Sequence, residues 1–252
     1  MAKSFLIVGN WKMNPQTLGE ARDIVAAVKK PAALSRRAKV VIAPPSVFLA
    51  DLAAKKSPLF FAAQDISFEV SGAHTGEISA KMVKSAGASY VILGHSERRA
   101  TGETNETVAE KFSRSVEANL IPILCVGEKK RDGEGDYFSE IVQELSVVLK
   151  KFEKDRAPRF VVAYEPVWAV GGSYDNALSP EEMRAMAIFI KKTCAEYFGK
   201  EKAMRIPVLY GGSVSSENAG VMLLDGGIDG LLVGRQSLDP KRFSEIIKTI
   251  DA

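Results

Sequence analysis

Short, predominantly apolar runs of four to six residues recur along the chain, separated by longer stretches with helical spacing. Runs that stay apolar, rather than alternating with polar residues, are typical of strands buried on both faces. Eight such strands are predicted: Phe5–Val8, Lys39–Ala43, Leu59–Ala63, Tyr90–Leu93, Ile121–Val126, Phe160–Tyr164, Ile206–Tyr210 and Gly230–Val233.

Each predicted strand is followed by a predicted helix. The clearest helix start is Ser179-Pro180-Glu181-Glu182, where a capping serine precedes a proline and two acids. The predicted helices are Gln16–Lys29, Ser46–Lys55 (with Ser46 as its cap), Ser79–Ala86, Glu103–Asn119, Tyr137–Phe152, Ser179–Phe198, Ser215–Leu224 and a last one starting at Asp239-Pro240.

Eight strand–helix units without a boundary linker predict an α/β fold, a single closed (β/α)8 barrel domain over residues 1–252. A doubly wound open sheet is the rival architecture. It fits less well, because no GxGxxG sequence follows the first strand.

Composition narrows the class of function. The formal net charge is +3 and no dense basic run interleaves with aromatics, so nucleic acid binding is not indicated. Cys125 and Cys194 offer no disulfide framework or metal-ligand spacing, which favours a reducing, cytoplasmic setting. No apolar run approaches the length of a membrane span, and the first one is too short for a signal peptide.

Polar and glycine residues cluster just after the predicted strands. In a parallel barrel these strand ends share one rim, where such barrels hold their active sites. The residues are Asn10, Lys12, Gln64, His95, Glu97, Glu128, Glu165, Ser213 and Gly234.

Glu165 is the candidate general base. It directly precedes Pro166, which favours extended backbone and so predicts that Glu165 ends a strand. The following Val167 to Gly172 combine a bulky anchor, Trp168, with a small glycine tip, as expected of a lid. The alternative is an ordinary strand–loop junction whose glutamate faces water.

His95 opens the sequence GHSERR, in which Ser96 to Arg99 could begin a helix. Amides at a helix start favour a neutral ring, which can donate a hydrogen bond to a carbonyl oxygen. A core histidine bonded to backbone is the alternative. Lys12 could be an ammonium for an anionic substrate, a Schiff-base lysine or a surface lysine; pairing with Glu97 would keep it charged.

Glycines follow the last two strands, in Gly211-Gly212-Ser213 and at Gly234. Barrels often bind phosphate there through backbone amides, and glycine allows close approach. The alternative is two tight turns.

In combination these motifs resemble the triosephosphate isomerase family. The similarity covers the whole chain: NWK at 10–12, GAHTGE at 72–77, GHSERR at 94–99, AYEPVWA at 163–169, YGGSV at 210–214 and LVG at 232–234.

The resemblance implies interconversion of dihydroxyacetone phosphate and glyceraldehyde 3-phosphate, without a cofactor or metal. Glu165 would move the proton and His95 would serve the carbonyl oxygens, with Lys12 and Asn10 polarising the enediolate and Glu97 in the catalytic set. The phosphate would be bound by Gly171, Ser213, Gly234 and the Arg235 amide. The loop with His74 and Thr75 would reach into a second subunit of a homodimer.

Three departures from the family pattern stand out. The turn Ala100–Glu103 is shorter and lacks an aromatic, the far lid hinge Ser173–Ser179 is longer, and Arg235 replaces a glycine. Two other functions stay open at this point: a sugar-phosphate aldolase using Lys12 as an imine, and a binding or scaffold protein with an inactive site.

Overall fold

Eight parallel strands close into a barrel in chain order. The computed structural model describes residues 3–53, 57–131, 135–153, 157–169 and 178–251. The strands are β1 (Phe5–Asn10), β2 (Ala38–Ala43), β3 (Phe60–Ala63), β4 (Tyr90–Leu93), β5 (Ile121–Val126), β6 (Val161–Tyr164), β7 (Val208–Tyr210) and β8 (Gly230–Val233). The prediction of a (β/α)8 barrel is confirmed, and the doubly wound sheet is excluded. The extent of the domain over residues 1–252 stays a prediction.

Closure of the barrel depends on a glycine between the first and last strands. Leu6 of β1 lies opposite Gly230 of β8. A Cβ atom at position 230 would stand 1.9 Å from the Leu6 carbonyl oxygen. Only glycine therefore allows these two backbones to pair in this register.

Successive side chains of a strand point alternately into two hydrophobic cores, one inside the barrel and one between the barrel and its helices. On β1, Leu6 and Val8 pack inside the barrel, whereas Phe5 and Ile7 pack between the barrel and its helices. All six residues of β1 are buried. This two-sided burial explains why the strands read as continuous apolar runs.

The helices surround the barrel. In the described residues they are α1 (Leu18–Leu34), α2 (Ser46–Ala53), α3 (Ala80–Ser85), α4 (Ser96–Ala100), α5 (Asn105–Glu117), α6 (Tyr137–Leu149), α7 (Pro180–Phe198), α8 (Lys200–Met204), α9 (Ser216–Leu224) and α10 (Pro240–Lys248). None of those within the described ranges is long and apolar enough to cross a membrane.

The predicted start of α7 is confirmed, with Ser179 and Glu182 forming a reciprocal capping box. Several predicted bounds were wrong, among them those of three helices. Helix α1 continues through Pro31 to Leu34 instead of ending at Lys29. Helix α2 begins at Ser46 rather than being capped by it. Helix α5 begins after Glu103, because the Thr104 side chain caps it. Helix α4 begins at Ser96, where a helical turn was expected. Helix α8 was not predicted.

Candidate active site

A cavity of about 350 Å³ opens at the carboxyl end of the barrel strands. Eight of the predicted site residues line it: Asn10, Lys12, His95, Glu97, Glu165, Ser213, Gly234 and Arg235. Gly171 lies outside the described residues, as do the rest of the second half of the predicted lid, residues 170–172, and residues 173–177 of its hinge. His74 and Thr75 lie elsewhere, on the exposed loop between β3 and α3.

Glu165 is held in the cavity wall with only 3% of its surface exposed. Its backbone amide donates to the Val126 carbonyl, which continues the strand pairing one residue past β6. One carboxylate oxygen, Oε1, lies 3.2 Å from His95 Nε2. The other, Oε2, accepts the Ser96 amide at 3.2 Å. The alternative of a water-facing glutamate is therefore excluded.

His95 sits at the start of α4, where its ring forms the helix cap. Nδ1 accepts the backbone amide of Glu97 at 3.1 Å. A nitrogen that accepts a hydrogen bond carries no proton, so the ring proton lies on Nε2, which faces Glu165. The ring therefore has a donor directed at the carboxylate. The neutral ring expected from the sequence stays a prediction.

Lys12 reaches the cavity from a strained backbone position. Its φ is +54°, in the left-handed region that non-glycine residues seldom adopt. Two polar side chains hold it there: Asn10 Oδ1 accepts the Lys12 amide at 3.1 Å, and Gln64 donates to the Lys12 carbonyl at 2.8 Å. Lys12 Nζ pairs with Glu97 Oε1 at 2.6 Å, so the expected pairing is present.

The first part of the lid is anchored to Glu128, which is fully buried. Its carboxylate accepts hydrogen bonds from the Tyr164 hydroxyl and from Trp168 Nε1, both at 2.9 Å. Arg131 contacts the same carboxylate at 3.3 Å and links it to Glu182 on α7. Glu128 was expected at this rim, but its role as an anchor was not, and Arg131 was missed.

The glycines after β7 make room for side chains of the site. A Cβ atom at Gly211 would stand 2.8 Å from Glu165 Cγ, and one at Gly212 would stand 2.4 Å from the Tyr210 hydroxyl oxygen. Close approach of the backbone to phosphate was the reason expected from the sequence. The structure adds a second reason, since Gly211 leaves space for the Glu165 carboxylate.

Arg235 begins a short 3₁₀ turn, Arg235–Leu238, at the cavity edge, with its side chain exposed. Its backbone is not in the left-handed region, which among the described non-glycine residues is occupied only by Lys12 and Asn119. Arginine at this position therefore brings no left-handed strain.

Buried ionisable groups lie behind the cavity. Glu144 accepts the Gly127 amide at 2.9 Å, and Arg99 lies 3.3 Å from its other oxygen. Burial raises the pKa of Glu144 to about 7, although Arg99 opposes this shift. Burial, reinforced by the Glu165 charge, also raises the pKa of the Cys125 thiol well above its usual range. Glu144 was missed, because nothing local marks a helical glutamate as buried.

The family model described as "Triosephosphate isomerase" matches residues 5–250. The chain belongs to the triosephosphate isomerase family. It is 42% identical to the triosephosphate isomerase of Moorella thermoacetica over 247 residues, covering 96% of this chain and 97% of the relative. It is 40% identical to that of Rhodopirellula baltica over 255 residues, covering 98% of both chains.

A third relative, the triosephosphate isomerase of Dictyoglomus turgidum, is 36% identical over 248 residues, covering 97% of this chain and 98% of the relative. Membership at this coverage identifies the protein as an isomerase enzyme. The two alternative functions, a sugar-phosphate aldolase and an inactive binding or scaffold protein, are therefore not supported.

Proposed function

We propose that this isomerase interconverts dihydroxyacetone phosphate and D-glyceraldehyde 3-phosphate through an enediolate, as a step of glycolysis and gluconeogenesis, with Glu165 as the base. The main support is one observation: the buried Glu165 carboxylate faces His95 Nε2 at 3.2 Å, in a cavity that Lys12 also lines. A base, a hydrogen-bond donor and a cation thus converge on one small space, as proton transfer next to a carbonyl requires.

Glu165 removes a proton from the substrate carbon beside the carbonyl and returns it to the neighbouring carbon. The two carboxylate oxygens now contact His95 and Ser96, so the carboxylate exchanges at least one of these contacts for the substrate. One proton leaves the first carbon and one is delivered to its neighbour, while one proton passes from the hydroxyl oxygen to the carbonyl oxygen, so no net charge is gained. A proton held on the Glu165 carboxyl group can exchange with solvent before it is delivered.

His95 donates from Nε2 to the two substrate oxygens as negative charge develops on them. The Glu97 amide fixes the ring in the required tautomer, so this donor is in place before the substrate binds. The Lys12 ammonium attracts the anionic substrate and, with Asn10, polarises the enediolate. The Asn10 side-chain amide nitrogen has no hydrogen-bond partner among the described residues, which leaves it for the substrate.

The phosphate lies across the cavity, against the backbone after β7 and β8. Ser213 and Gly234 line this side. Their amides and that of Arg235 supply the donors, together with Gly171 of the lid. The Arg235 residue is exposed, which is consistent with a contribution through its amide and not its side chain. Closure of the lid would exclude water from a labile phosphorylated enediolate.

The loop between β3 and α3 supports a homodimer. Its base is closed by the Ser67 amide, which donates to the Ile78 carbonyl at 2.8 Å, and its tip carries His74 and Thr75. Large apolar side chains on and near the loop are exposed, including Phe68 at 43% and Val70 at 45%; Met13, beside Lys12, is 85% exposed. Exposed apolar surface of this kind is typical of an interface.

Light scattering at micromolar concentration should therefore show a dimer, because docking would bury the exposed loop. A fully active monomer at that concentration would contradict the homodimer. A cytoplasmic location is part of the same proposal, supported by the family's metabolic role and the two unpaired cysteines.

Replacing Glu165 by Asp tests the base. The shorter side chain withdraws the carboxylate by about 1 Å, which lowers the rate on the order of 10²-fold. Glu196→Asp, the same change on the exposed face of α7, is the matched control and should keep full turnover. Full turnover by Glu165→Asp in a coupled assay would show that the assignment is wrong.

A further inference from the structure

A second cavity, of about 630 Å³, lies at the opposite end of the barrel, where the strands begin. It is larger than the active-site cavity and falls within the size range of small-molecule sites. Its lining includes the first residues of β1 and β6 and the segment around α8. It shares no lining residue with the active-site cavity.

Positive charge is concentrated around this cavity. Its lining contains Lys3, Lys39, Arg159, Lys202 and Arg205 against a single acid, Asp229. The lining therefore carries a formal charge of +4, from five cations less one anion, whereas the whole chain carries only +3. A concave surface with one dominant sign of charge attracts a ligand of the opposite sign.

Two of these cations have no carboxylate partner within the described ranges. Lys39 Nζ lies 4.1 Å from the Phe60 ring centroid and 5.3 Å from that of Tyr90, and it makes no ion pair there. Arg159 is exposed at the cavity edge and likewise unpaired. By contrast, Lys3 pairs with Asp229. Lys39 and Arg159 are therefore the charges available to an anionic group.

Tyr90 gives the cavity a polar group at its apolar floor. Only 3% of the residue is exposed, and its hydroxyl has no hydrogen-bond partner in the part of the chain that the structure describes. Among the described residues, the fully buried side-chain atoms without a hydrogen-bond partner are Trp11 Nε1 and Glu103 Oε2. The Tyr90 hydroxyl is not one of them, so it is not fully buried. The hydroxyl therefore opens into the cavity that Tyr90 lines, beside the apolar side chains of Ile121 and Val161.

We propose that this amino-terminal cavity is a second binding site, for a small phosphate monoester with a flat apolar body. The phosphate would be bound by Lys39 and Arg159, since guanidinium groups bind such oxygens in a bidentate manner. The apolar body would cover Ile121 and Val161, and an oxygen of the ligand would bond the Tyr90 hydroxyl. The site goes beyond the proposed reaction and does not depend on it.

Phenyl phosphate is a suitable probe. Inorganic phosphate and phenol, which each contain one part of it, are the comparison ligands. Calorimetric titration of the full-length protein should show phenyl phosphate binding more tightly than either comparison ligand. The Lys12→Met variant, altered only in the active-site cavity, should keep this binding. Loss of all binding in Lys12→Met would place the probe in the active site and overturn the proposal, as would no saturable binding at millimolar concentration.

Variants of the second cavity complete the test. The double change Lys39→Gln and Arg159→Gln should weaken binding by at least about tenfold, since each charged hydrogen bond contributes on that order. Lys192→Gln, on the exposed face of α7, is the matched control and should have no effect. Unchanged affinity in the double variant would refute the site.

Tyr90→Phe separates binding from folding. Because the hydroxyl has no partner among the described residues, its removal should leave the midpoint of urea unfolding unchanged while weakening phenyl phosphate binding several-fold. A variant that unfolds more easily but binds with the original affinity would show that the hydroxyl serves the fold, and would contradict its role in the site.

Discussion

Replacing Gly211 by alanine should displace the catalytic carboxylate without unfolding the barrel. The new Cβ atom would stand 2.8 Å from Glu165 Cγ and 3.4 Å from Oε1. Carbon atoms in normal contact are about 3.5–4.0 Å apart, so the Glu165 side chain must shift by about 0.7 Å or more. Gly211 does not have a positive φ, so alanine itself fits the backbone.

A displacement of this size should lower kcat roughly 10- to 100-fold, since 1 Å of misplacement can reduce a rate on the order of 10²-fold. KM should change little, because the clash is with the base and not with the phosphate side of the cavity. A coupled assay at varied triose phosphate concentration measures both constants. Urea unfolding should show a loss of no more than about 1–3 kcal/mol, the usual effect of overpacking.

Gly220→Ala is the matched control. This glycine lies in α9, where a Cβ atom would meet only Thr249 Cβ, at 3.8 Å. The control should keep wild-type kinetics and gain about 0.4–1 kcal/mol of stability. Wild-type kcat in Gly211→Ala would refute the reasoning. A rise in KM alone would show that Gly211 serves phosphate binding instead.

Two further substitutions test the surroundings of the site. Burial raises the pKa of Glu144 from 4.5 to about 7, so the native state keeps a proton that the unfolded chain releases, and stability falls as pH rises through this window. By pH 8 the loss of unfolding free energy is roughly 3 kcal/mol. Urea unfolding of Glu144→Gln should lack this pH dependence. A pH dependence identical to that of the wild type would contradict the assignment to Glu144. Arg235→Gly should leave kcat nearly unchanged and move KM by less than about tenfold. A larger rise in KM that vanishes at high salt would show that the guanidinium itself holds the substrate.

The strands were predictable because each is apolar on both faces, a signal confined to a few consecutive residues. Helix α8 was not, since five residues are too few to show helical periodicity. Of α4, which is equally short, the sequence indicated only a possible first turn at Ser96 to Arg99. Glu165 and His95 could be found because proline follows one and a potential helix start follows the other.

Other features depend on residues distant in the chain. The depth at which Glu144 is buried is set by the packing of its helix against the barrel, which local sequence does not specify. The space that Gly211 leaves for Glu165 likewise depends on the pairing of β6 with β7. The Arg235 backbone conformation could not be read from residue type, since glycine and arginine both adopt negative φ.

Solvent proton exchange tests the central proposal, that Glu165 carries the proton between the two carbons. Triose phosphate is incubated in deuterium oxide with the wild-type enzyme, Glu165→Asp or Glu165→Gln, and deuterium at the reacting carbons is followed by NMR. Exchange and isomerisation should fall together, on the order of 10²-fold in the aspartate variant, and both should be lost in the glutamine variant. Exchange at the wild-type rate in Glu165→Gln would show that another group removes the proton.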